Sequence, residues 1–282
     1  MTTLDLPVLL DLARTVTAAA EHHFHGDGPG TIRAKGDRDM VSDTDLTIEL
    51  QIRAALREAT PNFGFLGEEE GEDLPGASTR WILDPVDGTA NFIRGMPLCG
   101  ISLALVHEDA EVLGVIALPY LRHRYWAATG LGAWRDGERI HPASTATLGE
   151  AMVAIGGFTL GRGDPDRDIA LLTTLRRLAE QAQRTRMIGT SAVDLVMVAD
   201  GGFEASVTLG NCPWDMAAGV VIARESGALV TDLDGTVHTI RSRTTIAAAP
   251  GVHAELLQLI RDTVTGTRFD PATWAFSVPE RC

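Results

Sequence analysis

The chain has 282 residues, 45% hydrophobic and 22% charged, an ordinary globular composition with length for one large domain or two modest ones. Its 24 basic and 38 acidic residues leave a net charge of −14, which removes the broad positive footprint that nucleic acid or an anionic membrane surface would need. Cys99, Cys212 and Cys282 are too few for a disulfide framework and lack metal-ligand spacing, so a reducing, cytoplasmic setting is expected. The N-terminal stretch carries acids where a signal peptide needs bases, and no run of about 18 apolar residues occurs, so neither secretion nor a membrane span is expected.

In chain order, Leu6, Leu9, Leu10, Ala13, Val16 and Ala20 recur at helical spacing until Gly26, Gly28 and Gly30 break the pattern. A second helix is predicted after Ser42 or Asp43, through Ile48 and Ile52, ending before Pro61. Strands are predicted at 63–66, 81–83, 100–106, 112–118 and 124–128, a hairpin-rich sheet, with an Asp-Gly turn at Asp136-Gly137. The pattern restarts at Ala151, and a domain boundary is placed near 145. It separates an N-terminal α+β half, 1–145, from a C-terminal α/β half, 146–282. The second half alternates. Strands are expected at 151–155, 184–188, 203–208, 228–232 and 244–248, and helices at about 165–182, 190–199, 214–226 and 252–264, the first entered through Asp164-Pro165. Such alternation means a sheet covered by helices. The tail from Thr265, with Phe269, Trp274 and Phe276, shows no period.

Acidic residues gather where apolar strands deliver them. Phe65-Leu66-Gly67-Glu68-Glu69-Glu70 ends a strand in acids; taken alone it would be a solvated loop. Trp81-Ile82-Leu83-Asp84-Pro85-Val86-Asp87-Gly88-Thr89 runs a buried-looking strand into two aspartates split by a proline. Pro85 fixes its own φ and restricts Asp84, so Asp84, the Val86 carbonyl and Asp87 can turn toward one point as hard oxygen ligands for a divalent cation. Gly88 and Thr89 then begin a helix whose free N–H groups suit a phosphate. Asp215, in Pro213-Trp214-Asp215-Met216, opens a small-residue helix, where N-capping is the plain alternative.

These three blocks, with Asn91-Phe92 after the second, resemble the inositol monophosphatase family of metal-dependent, lithium-sensitive phosphatases, over nearly the whole chain. The resemblance implies a layered αβαβα sandwich of the α+β / α/β class, a homodimer, and two or three Mg²⁺ ions per site. It implies Glu68, Asp84, the Val86 carbonyl, Asp87 and Asp215 as metal ligands, with Glu69 behind them. Val41-Ser42-Asp43-Thr44-Asp45 resembles the segment whose last aspartate bonds the Gly88-Thr89 threonine, so Asp45 and Thr89 would orient and deprotonate the attacking water. Glu68 would share in that chemistry. Gly88, Thr89 and Asp215 would face the phosphate. Lys35, the only lysine, resembles a mobile-loop lysine near a metal site. Four carboxylates repel a phosphate dianion, each pair by on the order of 4 kcal/mol at 4 Å and an effective dielectric near 20, so metal would be obligatory. An in-line displacement with no phosphorylated residue is expected.

The sequence departs from the family at Thr208, where a glutamate commonly contacts ring hydroxyls, and at Ser191 in a substrate-facing turn. The implied activity is hydrolysis of inositol monophosphate or a related cyclitol or sugar phosphate. Asn91 to Pro97 with Arg124 to Ala128 also look like histidinol-phosphate phosphatases of the superfamily, a second candidate. A third, of another class, is an interaction or regulatory protein with residual phosphatase activity. Other motifs are set aside. His22, His23 and His25 read as a solvated helix end, Cys212 as a small buried neighbour and Cys282 as a free thiol without a prenylation motif. Gly130-Leu131-Gly132 lacks the third glycine of a dinucleotide fingerprint.

Overall fold

Asp5 opens the first helix, α1 (Leu6–Ala20), by accepting the Val8 N–H at 3.3 Å, and Leu9, Leu10, Ala13, Val16 and Ala20 form its buried stripe. The computed structural model describes residues 4–26, 28–36, 39–156, 165–210 and 212–276. Strands β1 (Ile32–Gly36) and β2 (Asp39–Ser42) form an antiparallel hairpin leading into α2 (Asp43–Ala59), whose start carries a Ser42–Asp45 capping box. That hairpin is absent from the sequence reading, because all of β1 is exposed and shows no apolar alternation.

The larger sheet contains β3 (Gly64–Gly67), β4 (Gly71–Asp73), β5 (Thr79–Asp87), β6 (Gly100–His107), β7 (Ala110–Leu118), β8 (His123–Ala128), β9 (Gly132–Arg135) and β10 (Glu138–Arg139). Its order is β10-β9-β8-β7-β6-β5-β3-β4, antiparallel throughout except for the parallel β3–β5 pair. A short helix, α3 (Thr89–Ile93), follows β5, and the Asp136-Gly137 turn joins β9 to β10 as expected. The smaller sheet contains β11 (Met152–Gly156), β12 (Arg184–Arg186), β13 (Ala205–Leu209), β14 (Leu229–Thr231) and β15 (Thr244–Ala248), in the order β12-β11-β13-β15-β14. Its helices are α4 (Pro165–Gln181), α5 (Ser191–Ala199), α6 (Pro213–Ser226) and α7 (Pro250–Val264).

Side-chain alternation explains the layers. Leu83, Leu103, Leu105, Leu113 and Val115 pack with α1 and α2 on one face of the larger sheet. Ile82, Ala104, Val106 and Ile116 meet α5 and α6 on the other. A sheet buried on both faces must be apolar on both, which is why its central strands read as unbroken hydrophobic runs. Ala154, Val230 and Ala247 of the smaller sheet close the same middle layer, and α4 and α7 cover that sheet's outer face. The result is the expected αβαβα sandwich.

Helix α6 lies in the centre, with consecutive residues Met216 to Ala223 buried. It approaches β7 so closely that a Cβ on Gly114 would stand 2.3 Å from the Ala218 carbonyl oxygen. The connection near residue 145 separates the strands of the two sheets, while α5 and α6 touch both. We propose that connection as the boundary of the two halves.

Cys99 is a buried free thiol, whereas Cys212 is disulfide-bonded, contrary to the expectation of unpaired cysteines. Asp164, Cys282 and the Ser277–Arg281 segment lie outside the described residues, as do the side chains of Trp274 and Phe276. Phe269 is buried against the outer core. Among the described residues no helix is long and apolar enough to cross a membrane.

Candidate active site

Three local devices bring the acidic blocks together. The ladder between β5 and β6 is regular up to Asp84↔Ser102 and then shifts register before Asp87↔Gly100. Pro85, which has no N–H to give the ladder, sits in that irregularity, so Asp84 and Asp87 escape strict alternation and reach the same cleft. The Glu68 N–H donates to the Leu83 carbonyl at 3.2 Å, holding the end of β3 beside Asp84. The Ser102 hydroxyl lies 3.3 Å from the Trp214 carbonyl, tying the start of α6, and with it Asp215, to the strand that pairs with Asp84.

The cleft so formed has a volume of about 200 Å³, and its walls include Glu68, Asp84, Val86, Asp87, Thr89 and Asp215. Gly88 also lines it with φ +88°, and a Cβ there would stand 3.1 Å from the Leu98 carbonyl, so both conformation and space call for glycine. Met40, Ala90 and Gly189 complete the wall; Gly189 belongs to the same substrate-facing turn as Ser191, whereas Met40 carries no sequence signal.

The electrostatics are those of a site built for positive charge. Asp84 is fully buried, and burial followed by the charges of Glu68, Asp87, Asp215 and Asp45 holds its carboxyl well above the ordinary range. Burial pushes Asp87 up to about 6, against the opposing bonds from Ala192 N–H, Thr190 and Ser191. The start of α5 thus grips Asp87 directly. Glu69 rises to about 7, chiefly through burial. Lys35 answers this field: its Nζ lies 2.7 Å from Glu68 Oε1 and 2.8 Å from Glu69 Oε1. Burial works against its charge, yet these two bonds hold its ammonium above the ordinary lysine value.

Hard oxygen donors in this number fit Mg²⁺ or a similar cation. Among the described residues no three such side chains are already closed into an ion-sized cage, consistent with Glu68 turned to Lys35.

Asp45 lies behind the cleft. Its Oδ1 is 3.2 Å from Thr89 Oγ1, and its Oδ2 accepts the Ser42 N–H at 3.1 Å and the Ser42 hydroxyl. Thr89 Oγ1 is also 3.0 Å from the Val86 carbonyl. Burial raises Asp45 above the usual carboxylate value. Ser191 and Thr208 are not on the cleft wall. Ser191 opens α5 beneath Asp87, and Thr208 is buried on β13, facing Gly156 and Thr245 across the two pairings.

One residue that sequence reasoning missed is Glu49, wholly buried on α2. Its two oxygens each accept an N–H at 3.0 Å, Oε2 from Glu69 and Oε1 from Glu70, fixing the turn that carries Glu68. Its only sequence signal is an acid on the helical stripe of Ile48, Ile52 and Leu56, with Arg53 four residues on.

A five-layer sandwich with a carboxylate-walled cleft at the ends of β3 and β5 and the start of α6 is the architecture of a phosphoric monoester hydrolase. The chain belongs to the inositol monophosphatase family, which it matches over residues 5–265. Metal dependence is general to that family. The chain is 36% identical over 254 residues to inositol-1-monophosphatase ImpA of Mycolicibacterium smegmatis, covering 89% of this chain and 91% of that protein. It is 34% identical over 228 residues to a putative Nus factor SuhB of Neisseria meningitidis serogroup B, covering 80% and 86%. Its fold matches the crystal structure of the extragenic suppressor protein SuhB from Bartonella henselae with a TM-score of 0.83 at 30% identity, over 90% of this chain and 98% of the other. These relatives lend no support to the histidinol-phosphate alternative.

Proposed function

We propose that the protein is a magnesium-dependent phosphomonoesterase acting on inositol monophosphate or a related cyclitol or sugar phosphate, as a cytoplasmic homodimer. The observation that carries this reading is the convergence of Glu68, Asp84, Asp87 and Asp215 on one cleft with Thr89 beside them. Glu68, Asp84, Asp87, Asp215 and the Val86 carbonyl would hold two or three Mg²⁺ ions. Bound magnesium supplies neutralisation of the phosphoryl and leaving-group charge and a lowered pKa for the attacking water.

The protein's own groups do the rest. Thr89 Oγ1 accepts a hydrogen bond from the attacking water while its own hydrogen points to Asp45, so the water's lone pair faces the phosphorus. Asp45, buried and bonded by Ser42, is the acceptor to which the proton passes through Thr89. Gly88 and the start of α3 face the phosphoryl oxygens. Asp87, anchored by Thr190 to Ala192, keeps the two halves of the chain in register across the cleft. Ser191, at the start of α5, and Thr208, buried on β13, would act on the polyol side of the pocket only through the elements that carry them. Displacement is in line, with no phosphorylated residue.

Phosphate release from inositol 1-phosphate, fructose 1,6-bisphosphate, adenosine 3′,5′-bisphosphate and histidinol phosphate, each with Mg²⁺ and with chelator, tests the reading. A chelator-sensitive preference of about tenfold for a cyclitol or sugar monophosphate, roughly 1.4 kcal/mol in transition-state binding, supports it. No turnover on any member opposes it.

The neisserial relative's name favours one second reading, a transcription-associated partner role. That role would survive Asp84→Asn in a pull-down, whereas phosphatase activity would not.

A further inference from the structure

A second cavity, of about 290 Å³, lies between the C-terminal half of α2 and the edge of the larger sheet formed by β3 and β4, and shares no wall residue with the carboxylate cleft. Leu56, Phe63, Phe65 and Trp81 give it an apolar lining. Its charged wall residues are two arginines, Arg53 and Arg57, against one aspartate, Asp73, so its net wall charge is positive in a protein of net charge −14. That inversion favours an anion with an apolar body.

The arginine donors are incompletely used. A single oxygen, Asp73 Oδ2, serves both Arg53 Nη1, at 2.9 Å, and Arg57 Nη2. Arg53 is nearly buried, with its guanidinium 4.4 Å from the centre of the Phe65 ring, and its Nε is a buried donor without an acceptor. A guanidinium presents five N–H donors in a fork that matches a carboxylate or phosphonate, and Arg57 meets Asp73 through Nη2, so it has capacity for a second anion beside Asp73.

Arg53 also leads out of the cavity to the candidate active site. Its Nη2 lies 2.7 Å from Glu49 Oε1 and 2.8 Å from the Gly71 carbonyl. Glu49 in turn receives the Glu69 and Glu70 N–H groups of the turn that presents Glu68. A cavity residue, one buried carboxylate and the active-site turn therefore form an unbroken chain of charge-assisted hydrogen bonds.

We propose that this cavity is a regulatory site for a small amphipathic anion, an aromatic or branched apolar body bearing one carboxylate or phosphonate-like group, and that its occupancy shifts the Glu68–Glu70 turn through Arg53 and Glu49. Binding is independent of the phosphatase reading; only an effect on turnover rests on it.

The test titrates the full chain with phenylacetate and with phenylphosphonate, neither of which can be hydrolysed as a phosphate ester, and with benzyl alcohol as the uncharged control. Nuclear magnetic resonance reads the Trp81 indole N–H in the cavity and the Glu69 and Glu70 amides in the turn. Both anions should shift Trp81 saturably, and Arg57→Gln, a residue outside the catalytic cleft, should weaken that binding by about tenfold without changing the benzyl alcohol response. The Glu69 and Glu70 amides should move with the same midpoint. No Trp81 shift at tens of millimolar probe overturns the site, and equal binding by Arg57→Gln overturns the anion assignment. A Trp81 shift without movement of Glu69 and Glu70 overturns the transmission. Because none of these signals needs turnover, failure of the phosphatase reading leaves the test intact.

Discussion

Thr89 Oγ1 stands 3.2 Å from Asp45 Oδ1, a contact between residues 44 positions apart that joins the start of α2 to the start of α3. The contact holds a hydroxyl on the cleft wall against a carboxylate that is buried and not itself on the wall.

If the pair relays a proton, Asp45→Asn keeps the hydrogen-bond geometry but removes the acceptor. Steady-state kinetics should then show kcat reduced by about 10²- to 10⁴-fold with KM little changed. Asp45→Asn combined with Thr89→Val should be no worse than the weaker single variant, because the two act as one unit. Additive losses would separate their roles.

Gly67 precedes Glu68, and a Cβ there would lie 2.2 Å from Glu49 Oε1. Glu49 is fixed by Arg53 and by two backbone N–H groups, so it has no room to retreat. Gly67→Ala should cost about 1–3 kcal/mol in urea unfolding. Its turnover on inositol 1-phosphate should fall further than that of a destabilised variant away from the site, such as Gly251→Ala, whose Cβ would stand 2.4 Å from the Thr145 carbonyl.

Lys35 pairs with Glu68 and Glu69, so a cation held by Glu68 would have to displace it. Both partners of the Lys35–Glu68 pair are partly solvated, so the pair is worth about 0.5–1 kcal/mol. Lys35→Gln should accordingly tighten Mg²⁺ binding by a few-fold, about twofold to fivefold in calorimetry, and lower the melting temperature of the metal-free protein. Weaker Mg²⁺ binding would show that Lys35 supports the loaded site instead.

Asp194, buried on α5, has no hydrogen-bond partner at either carboxylate oxygen. Burial, and then the charge of Asp87, pushes its carboxyl well above the usual value. The folded chain therefore keeps a proton that the unfolded chain releases near pH 4. This contribution to stability is full below that pH and is lost as pH rises through the folded-state value. Asp194→Asn carries no charge to expose, so in chelator its melting temperature should fall less than wild type between about pH 4 and pH 8. Parallel curves would exclude Asp194 as a source of the slope.

The acids of the cleft are written linearly in the sequence. Glu68, Asp84, Asp87, Thr89 and Asp215 were each visible beside an apolar strand or at a helix start, and the structure brings all of them to one cleft. Pro85 between two aspartates announced the ladder irregularity that turns both acids inward. Glu49 and Arg53 were illegible, because their meaning comes from Gly67, Glu69 and Glu70 folding over them. The β1–β2 hairpin escaped because its exposed strand buries no stripe, and the Cys212 disulfide because spacing alone assigns no pairing.

Mg²⁺-dependent phosphate release from inositol 1-phosphate by wild type, Asp84→Asn and Asp215→Asn, with circular dichroism confirming that each variant folds, decides whether the carboxylate cleft is a metal-dependent phosphatase site. A metal-dependent phosphatase site requires wild-type turnover to be abolished by chelator and kcat to fall by about 10²- to 10³-fold or more in both variants, each of which loses a charge from the cleft. Near-normal kcat in either folded variant, or turnover indifferent to chelator, would contradict it.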